Sequence, residues 1–313
     1  MTDISILIED MLAYKESLGF SRRIYEGWLR DFASYFTKEG IQEFSADSIT
    51  PWIAKRDTEG DSGFRKRATV LREFSKYLYG TGETDYTIPT TIFPVVHTYT
   101  PYIFTDQELR NLFEACDHEL YSKESPCRSL IIPVIYRLIY FCGLRPNEGR
   151  ELLKNDFDYD ARTLFIRKNK SHRERRIPIS DDVAEMCQRY LYRSTQIYPE
   201  TDCFFPSPYG MPYGHKWLTD TFLRLWDASK PEGNVSRVRV YDLRHRWATA
   251  GFMKWLDEGA DLYAMLPYLS AYMGHAGFKD KLYYIHLLPE NLQRSAAIDW
   301  DRFEAVIPEV GHE

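Results

Sequence analysis

A chain of 313 residues is long enough for two domains that each bury a core, and 44% hydrophobic with 27% charged residues is a globular composition that excludes a disordered chain. A net charge of -6 and a pI near 5.8 exclude a protein that coats nucleic acid indiscriminately, because counterion release needs clustered Lys and Arg. No run of about 18 apolar residues occurs, and Met1 to Phe20 lacks a basic start with an apolar core, which predicts a soluble, unexported, cytoplasmic protein with no membrane partner.

The first stretch reads as helical. Ile4, Leu7, Ile8, Met11, Leu12 and Leu18 recur at helical spacing, and Tyr25, Trp28, Leu29, Phe32, Tyr35 and Phe36 make a second such face. Asp47 precedes a short helix through Ile53, and Ser62 precedes a longer one through Val70, Phe74 and Leu78 before Gly80. Four helices over 1–86 make an independent domain whose aromatic stripe reads as core packing in preference to base stacking. Residues 87–104, with Pro89, Pro94 and Pro101 among threonines and valines, read as an extended linker.

Thr105-Asp106-Gln107-Glu108 is a capping box that opens a second domain, 105–313. Ser129 to Cys142 is a mostly apolar helix that stops at Gly143, and Pro146 can open the next helix at its first turn. Thr163 to Arg167 and Arg175 to Ile179 are short β-like runs around a polar turn of Asn169, Lys170, Ser171 and His172, which places Lys170 at a hairpin tip. Further helices are expected from Asp181, Trp217, Tyr241, Asp261 and Glu290. In the last, Leu292, Ala296, Trp300 and Phe303 share one apolar stripe. The fold class is therefore mainly α with a small β-sheet (α+β).

The five cysteines form no C-x-x-C pair and no regular spacing, so neither a zinc site nor a disulfide framework is implied and reduced thiols are expected. Arg167, Lys168, Lys170, Arg173, Arg175 and Arg176 form one basic group, and Arg237, Arg239, Arg244 and Arg246 a second, whereas the tail after Tyr284 is acidic. Those two groups predict a basic cleft on an acidic body.

Gly143-Leu144-Arg145 sets an arginine at a helix junction, with Glu148 as its expected buried partner. Tyr241 and Arg244 stand at i, i+3 on one helix face, so a phosphate at Arg244 can also meet the Tyr241 hydroxyl. Gly274-His275 is followed nine residues on by Tyr284. A phenol attacks a phosphodiester only where charge developing on the phosphoryl oxygens is neutralised and the departing oxygen receives a proton. Arg145, Lys170, Arg244 and His275 can supply both.

In their order and spacing these motifs resemble those of the tyrosine recombinase, or phage integrase, family: G-L-R-x-x-E, a hairpin lysine, H-x-L-R-H, then L-G-H with a tyrosine nine residues on. The matching residues are Gly143, Leu144, Arg145 and Glu148; Lys170; Leu243, Arg244 and His245; Gly274 and His275; and Tyr284. Tyr241 stands where the family has the first histidine of H-x-x-R, and with a reference pKa near 10 it can donate a hydrogen bond but is a poor base. Met273 replaces the leucine of L-G-H. The helical first domain similarly resembles the family's SAM-like core-binding domain.

The resemblance implies that Tyr284 attacks the scissile phosphate to give a 3'-phosphotyrosyl link and a free 5'-hydroxyl. Arg145, Arg244, His275 and Tyr241 would contact the phosphoryl oxygens, and Lys170 would protonate the leaving oxygen. No cofactor, metal or ATP is implied. The implied partners are double-stranded DNA with inverted-repeat core sites, further copies of the chain as a dimer or tetramer on DNA, and accessory DNA-bending or directionality factors. The C-terminal helix would dock on a neighbouring protomer. Integration, excision or transposition of a mobile element is the expected outcome. Tyr283 and Lys168 remain alternatives to Tyr284 and Lys170. A type IB topoisomerase-like enzyme and a catalytically inactive DNA-binding protein remain alternatives for the whole.

Overall fold

The computed structural model describes residues 3–92, 99–167 and 174–274. The chain divides into two compact units, Met1–Tyr99 and Thr100–Glu313.

The first unit consists of α1 (Ile4–Ser17), α2 (Glu26–Lys38), α3 (Ala46–Ile53) and α4 (Asp61–Gly80). Asp3 caps α1 by accepting the Ser5 N–H at 2.7 Å. In α3 the cap is Ser45, in a reciprocal box with Ser48, and α4 starts from Gly60. Asp47 and Ser62, the expected caps, therefore lie inside the first turns. Ser45 prevails because its hydroxyl and that of Ser48 each satisfy an orphan backbone N–H of the other.

The aromatic stripe of α2 is core. Leu29, Phe32 and Phe36 are buried, and Phe32 meets the edges of Phe44, Trp52 and Phe74 at centroid distances of 5.9, 5.2 and 6.3 Å. Truncating such a ring typically costs about 3–5 kcal/mol. Ile88 belongs to this core and donates its N–H to the Ser75 hydroxyl at 3.1 Å. Arg67 of α4 is also fully buried. It donates to Glu59 and to the carbonyls of Trp52 and Ala54, and stacks 4.7 Å from the Trp52 ring.

The second unit consists of α5 (Asp106–Asp117), α6 (Arg128–Phe141), α7 (Pro146–Arg150), β1 (Phe157–Asp158), β2 (Thr163–Ile166), β3 (Arg175–Pro178), α8 (Asp181–Ile197), α9 (His215–Ser229), α10 (Val240–Asp257) and α11 (Leu262–Met273). The Thr105/Glu108 capping box is present, and Glu108 also accepts from the Tyr102 hydroxyl at 2.6 Å. Helix α6, apolar on most sides, runs through the core and packs on α5, α8 and α10. The strands form an antiparallel sheet in the order β1-β2-β3, with Ile166 opposite Arg175 and Thr163 opposite Pro178. The two-residue β1 was not foreseen, being too short for alternation to reveal it.

All five cysteines lie in this unit and are buried. Burial pushes the thiols of Cys116 and Cys187 up to about 12 and that of Cys127 to about 11. Among the described residues, no helix is long and apolar enough to cross a membrane.

Candidate active site

Helix α6 ends at Cys142, and the chain turns through Gly143 in the left-handed region at φ 54°. A Cβ there would sit 2.6 Å from the Trp247 ring, so glycine is required by conformation and by space. The turn delivers Arg145 to the N-cap of α7, with Pro146 at its first position. Arg145 then closes on Glu148, which accepts both the Arg145 backbone N–H at 2.9 Å and its guanidinium at 2.8 Å.

Glu148 is the centre of the arrangement. Its side chain is only 5% exposed. It receives a two-pronged ion pair from Arg175 of β3, with both N···O distances at 2.9 Å, and stands 3.9 Å from Arg244 of α10. Burial alone would raise the Glu148 pKa, but the Arg175 hydrogen bonds, with the charges of Arg175 and Arg145, hold it at about 2. The carboxylate stays ionised.

The same three arginines also cap the end of α11. Arg175 Nε donates to the Tyr272 carbonyl at 2.7 Å, Arg244 to Met273 at 2.7 Å, and Arg145 to Gly274 at 2.8 Å. A helix end leaves its last carbonyls without intrahelical donors, and here guanidiniums satisfy them in sequence. Gly274, at φ 66°, allows the close approach, since a Cβ would lie 2.9 Å from the Arg175 fork. Three positive charges thus face one carboxylate and a helix end worth about half a negative charge, an excess of about one and a half positive charges. Such an excess suits an anion.

A cavity of about 630 Å³ adjoins this cluster, lined among others by Arg145, Glu148, Arg167, His215, Arg239 and Tyr241. Tyr241, half-buried at the start of α10, stacks on His245 at 5.1 Å. Burial opposes the Arg145 charge, but Glu148 and then Tyr241, both hydrogen-bonded to it, raise its pKa above the ordinary value. His245 is buried, and desolvation with the charges of Arg244 and Arg239 pushes its pKa down to about 4. It is a neutral packing residue at neutral pH.

The structure brings Arg145, Tyr241 and Arg244 together. Tyr241 lines the cavity beside Arg145 and influences its charge. The Arg244 guanidinium is fully buried, fixed by the carbonyls of Gly143 at 2.6 Å and Met273. Neither basic group lies wholly on a cleft surface, because Arg175 and Arg244 turn inward and Arg246 pairs with Asp106 at 2.6 Å. Lys170, its alternative Lys168, His275, Tyr283, Tyr284 and the helix expected from Glu290 lie outside the described residues. Among the described residues, no cluster of three or more His, Cys, Asp or Glu side chains could hold a metal ion.

The family model described as Phage integrase family matches residues 103–290. The chain belongs to the phage integrase family. It is 27% identical over 285 residues to y4rE of Sinorhizobium fredii, classed by name with the integrase/recombinases, spanning 89% of this chain and 90% of that one. It is similar in fold to the XerH site-specific recombinase, solved bound to a palindromic difH substrate after cleavage. The TM-score is 0.66 at 20% identity, covering 90% of this chain and 80% of the other. It is also similar to lambda integrase, solved as a tetramer bound to a Holliday junction, with TM-score 0.61, 14% identity and coverage of 90% and 76%.

Proposed function

We propose that this phage integrase family member is a site-specific DNA recombinase that cuts and rejoins strands through a 3'-phosphotyrosyl intermediate. The observation that carries the reading is the gathering of Arg145, Arg175 and Arg244 on one carboxylate and one helix end beside an open cavity, where among the described residues the positive charges outnumber the carboxylates they bind. In this reading the Tyr284 hydroxyl gives its proton to water as its oxygen attacks phosphorus, the P–O5' bond breaks, and Lys170 gives the leaving 5'-oxygen a proton. Arg145, Arg244 and His275 stabilise the charge on the non-bridging oxygens. The covalent link conserves the bond energy, so a 5'-hydroxyl of another strand reverses the step and exchanges strands.

Tyr241 takes the place of the usual histidine as a hydrogen-bond donor to the phosphate, a role that its position on the cavity wall beside Arg145 supports. Because Arg244 is buried and its bonds to the Gly143 and Met273 carbonyls use two of its five N–H groups, a covering group must move before phosphate reaches one of the others. The first unit, 1–86, serves as the core-binding domain joined by 87–104 to the catalytic domain. Copies of the chain assemble as a dimer or tetramer on inverted-repeat sites, with the C-terminal helix docking in trans and accessory factors setting direction. The biological setting is integration, excision or transposition of a mobile element, in the cytoplasm.

The test is a nicked suicide duplex built on inverted repeats flanking the gene. Wild type traps a covalent protein–DNA adduct in excess EDTA, Tyr284→Phe binds but gives none, and Tyr283→Phe still gives one. An adduct with Tyr284→Phe overturns the assignment, and none with wild type overturns the function.

A further inference from the structure

We propose that Arg175 is a positioning residue of this site, a three-way tie that holds the second hairpin strand, Glu148 and the end of α11 in one mutual register for strand cleavage. The proposal rests on the recombinase reading above and deepens it. Arg175 shares a face of β3 with the buried Ile177, so the strand points its guanidinium inward. From there Nε donates to the Tyr272 carbonyl at 2.7 Å, while the two terminal nitrogens take one oxygen each of Glu148 at 2.9 Å. All three donor directions of a planar fork are used at once, which only arginine can do.

The three elements so joined are distant in sequence and carry different parts of the proposed chemistry. Strand β3 begins five residues after Lys170 in the sequence. Glu148 orients Arg145 through two hydrogen bonds. The end of α11 is bonded to Arg145 and Arg244 and runs straight into His275. Arg175 touches none of the reacting atoms in this scheme and acts through these neighbours. A misplacement of about 1 Å in such a constellation typically costs about 100-fold in rate.

Arg175→Lys keeps the charge and the aliphatic stem but cannot bridge three acceptors in a plane, and Arg175→Gln removes the charge. We expect Arg175→Lys to bind a half-site duplex within about threefold of wild type, because the charge of the cluster is kept, whereas Arg175→Gln loses one of its three positive charges and binds more weakly. Cleavage of the nicked duplex should fall about 10- to 100-fold for the lysine variant and further for glutamine. A pH profile separates positioning from simple loss of fold. Among the described residues, Glu148 is faced by Arg145 at the start of α7, Arg175 from β3 and Arg244 from α10, and the α11 end adds backbone carbonyls. Without Arg175 the strongest influence opposing burial is gone, so the carboxylate gains a proton on acidification and releases Arg145. The rate of Arg175→Gln relative to wild type should therefore fall further between about pH 7 and about pH 5, and Arg175→Lys should show less of this fall.

A loss of rate that merely tracks the folded fraction by circular dichroism, with a pH-independent ratio to wild type, overturns the proposal. So do adduct yields equal to wild type in both variants. No adduct from wild type overturns the recombinase reading itself, a result distinct from equal yields across the three proteins.

Discussion

Arg67 in the helical unit and Arg244 in the second unit are both fully buried, yet they are balanced differently. Arg67 closes directly on Glu59, adds the carbonyls of Trp52 and Ala54, and lies over the Trp52 ring, so one cation meets one carboxylate. Around Arg244 the carboxylate of Glu148 is shared with Arg145 and Arg175, and the Gly143 carbonyl and the helix end of α11 add further acceptors. The first arrangement is electrically closed and ties a loop to a helix. The second leaves a positive field beside a cavity. Burial of an arginine alone therefore does not mark a site; the ratio of cations to carboxylates around it does.

The sharpest way to break this contrast is to remove each arginine. Arg67→Ala should destabilise the first unit by about 2–4 kcal/mol, since it removes a fully buried side chain and leaves the Trp52 carbonyl without its donor and the half-buried Glu59 without its ion pair, while leaving cleavage per folded molecule near wild type. Arg244→Ala should lower cleavage per folded molecule by roughly a thousandfold while half-site binding persists. Thermal unfolding alongside adduct yield checks both. Equal per-molecule losses in the two variants would end the distinction.

Acid should separate the units next. His245 stays neutral in the folded protein down to about 4, whereas an unfolded histidine takes its proton near 6.5, so stability falls as pH drops between those values. Glu148, held at about 2 when folded, contributes stability that is present above about 4.5 and lost as pH falls toward 2. Each linkage is on the order of 3 kcal/mol. Glu59 is also lowered, but no described histidine of the first unit adds a loss above pH 4.5. Amide hydrogen exchange along an acid titration should show the second unit opening at the higher pH; the reverse order would remove the electrostatic account.

Tyr241→Phe should slow cleavage by about one to two orders of magnitude, no more than loss of one oxyanion donor, and Tyr241→His should remain active. Full activity in the phenylalanine variant would make Tyr241 a packing residue and leave Arg145 as the only described group on the cavity side engaging the phosphate. The smallest effect belongs to Gly143→Ala, about 1–2 kcal/mol in the second unit alone, because a Cβ at φ 54° must also displace the Trp247 ring. An unchanged melting temperature would show that the ring relaxes freely.

Much of this was readable in advance, for identifiable reasons. Helical spacing located α1, α2 and the stop of α6, and the Thr105/Glu108 box was visible because both of its halves are local. Glu148 as a buried partner followed from its spacing to Arg145. What escaped were contacts made across long sequence separations. A run of arginines and lysines around 167–176 reads as part of a basic cleft, and only the alternation Arg175-Arg176-Ile177-Pro178, with Ile177 inward, signals that Arg175 turns inward. The capping of α11 by three arginines from three other elements has no local signature at all.

The placement of the thiols has a practical consequence. Cys116, Cys127, Cys142, Cys187 and Cys203 all sit in the second unit, and each is shielded from solvent. An alkylating reagent therefore has no target in the first unit and reaches a target in the second only when that unit opens. Pulse labelling followed by mass measurement would time the opening of the second unit while its neighbour stays silent, giving the chain a built-in clock that needs no engineered probe.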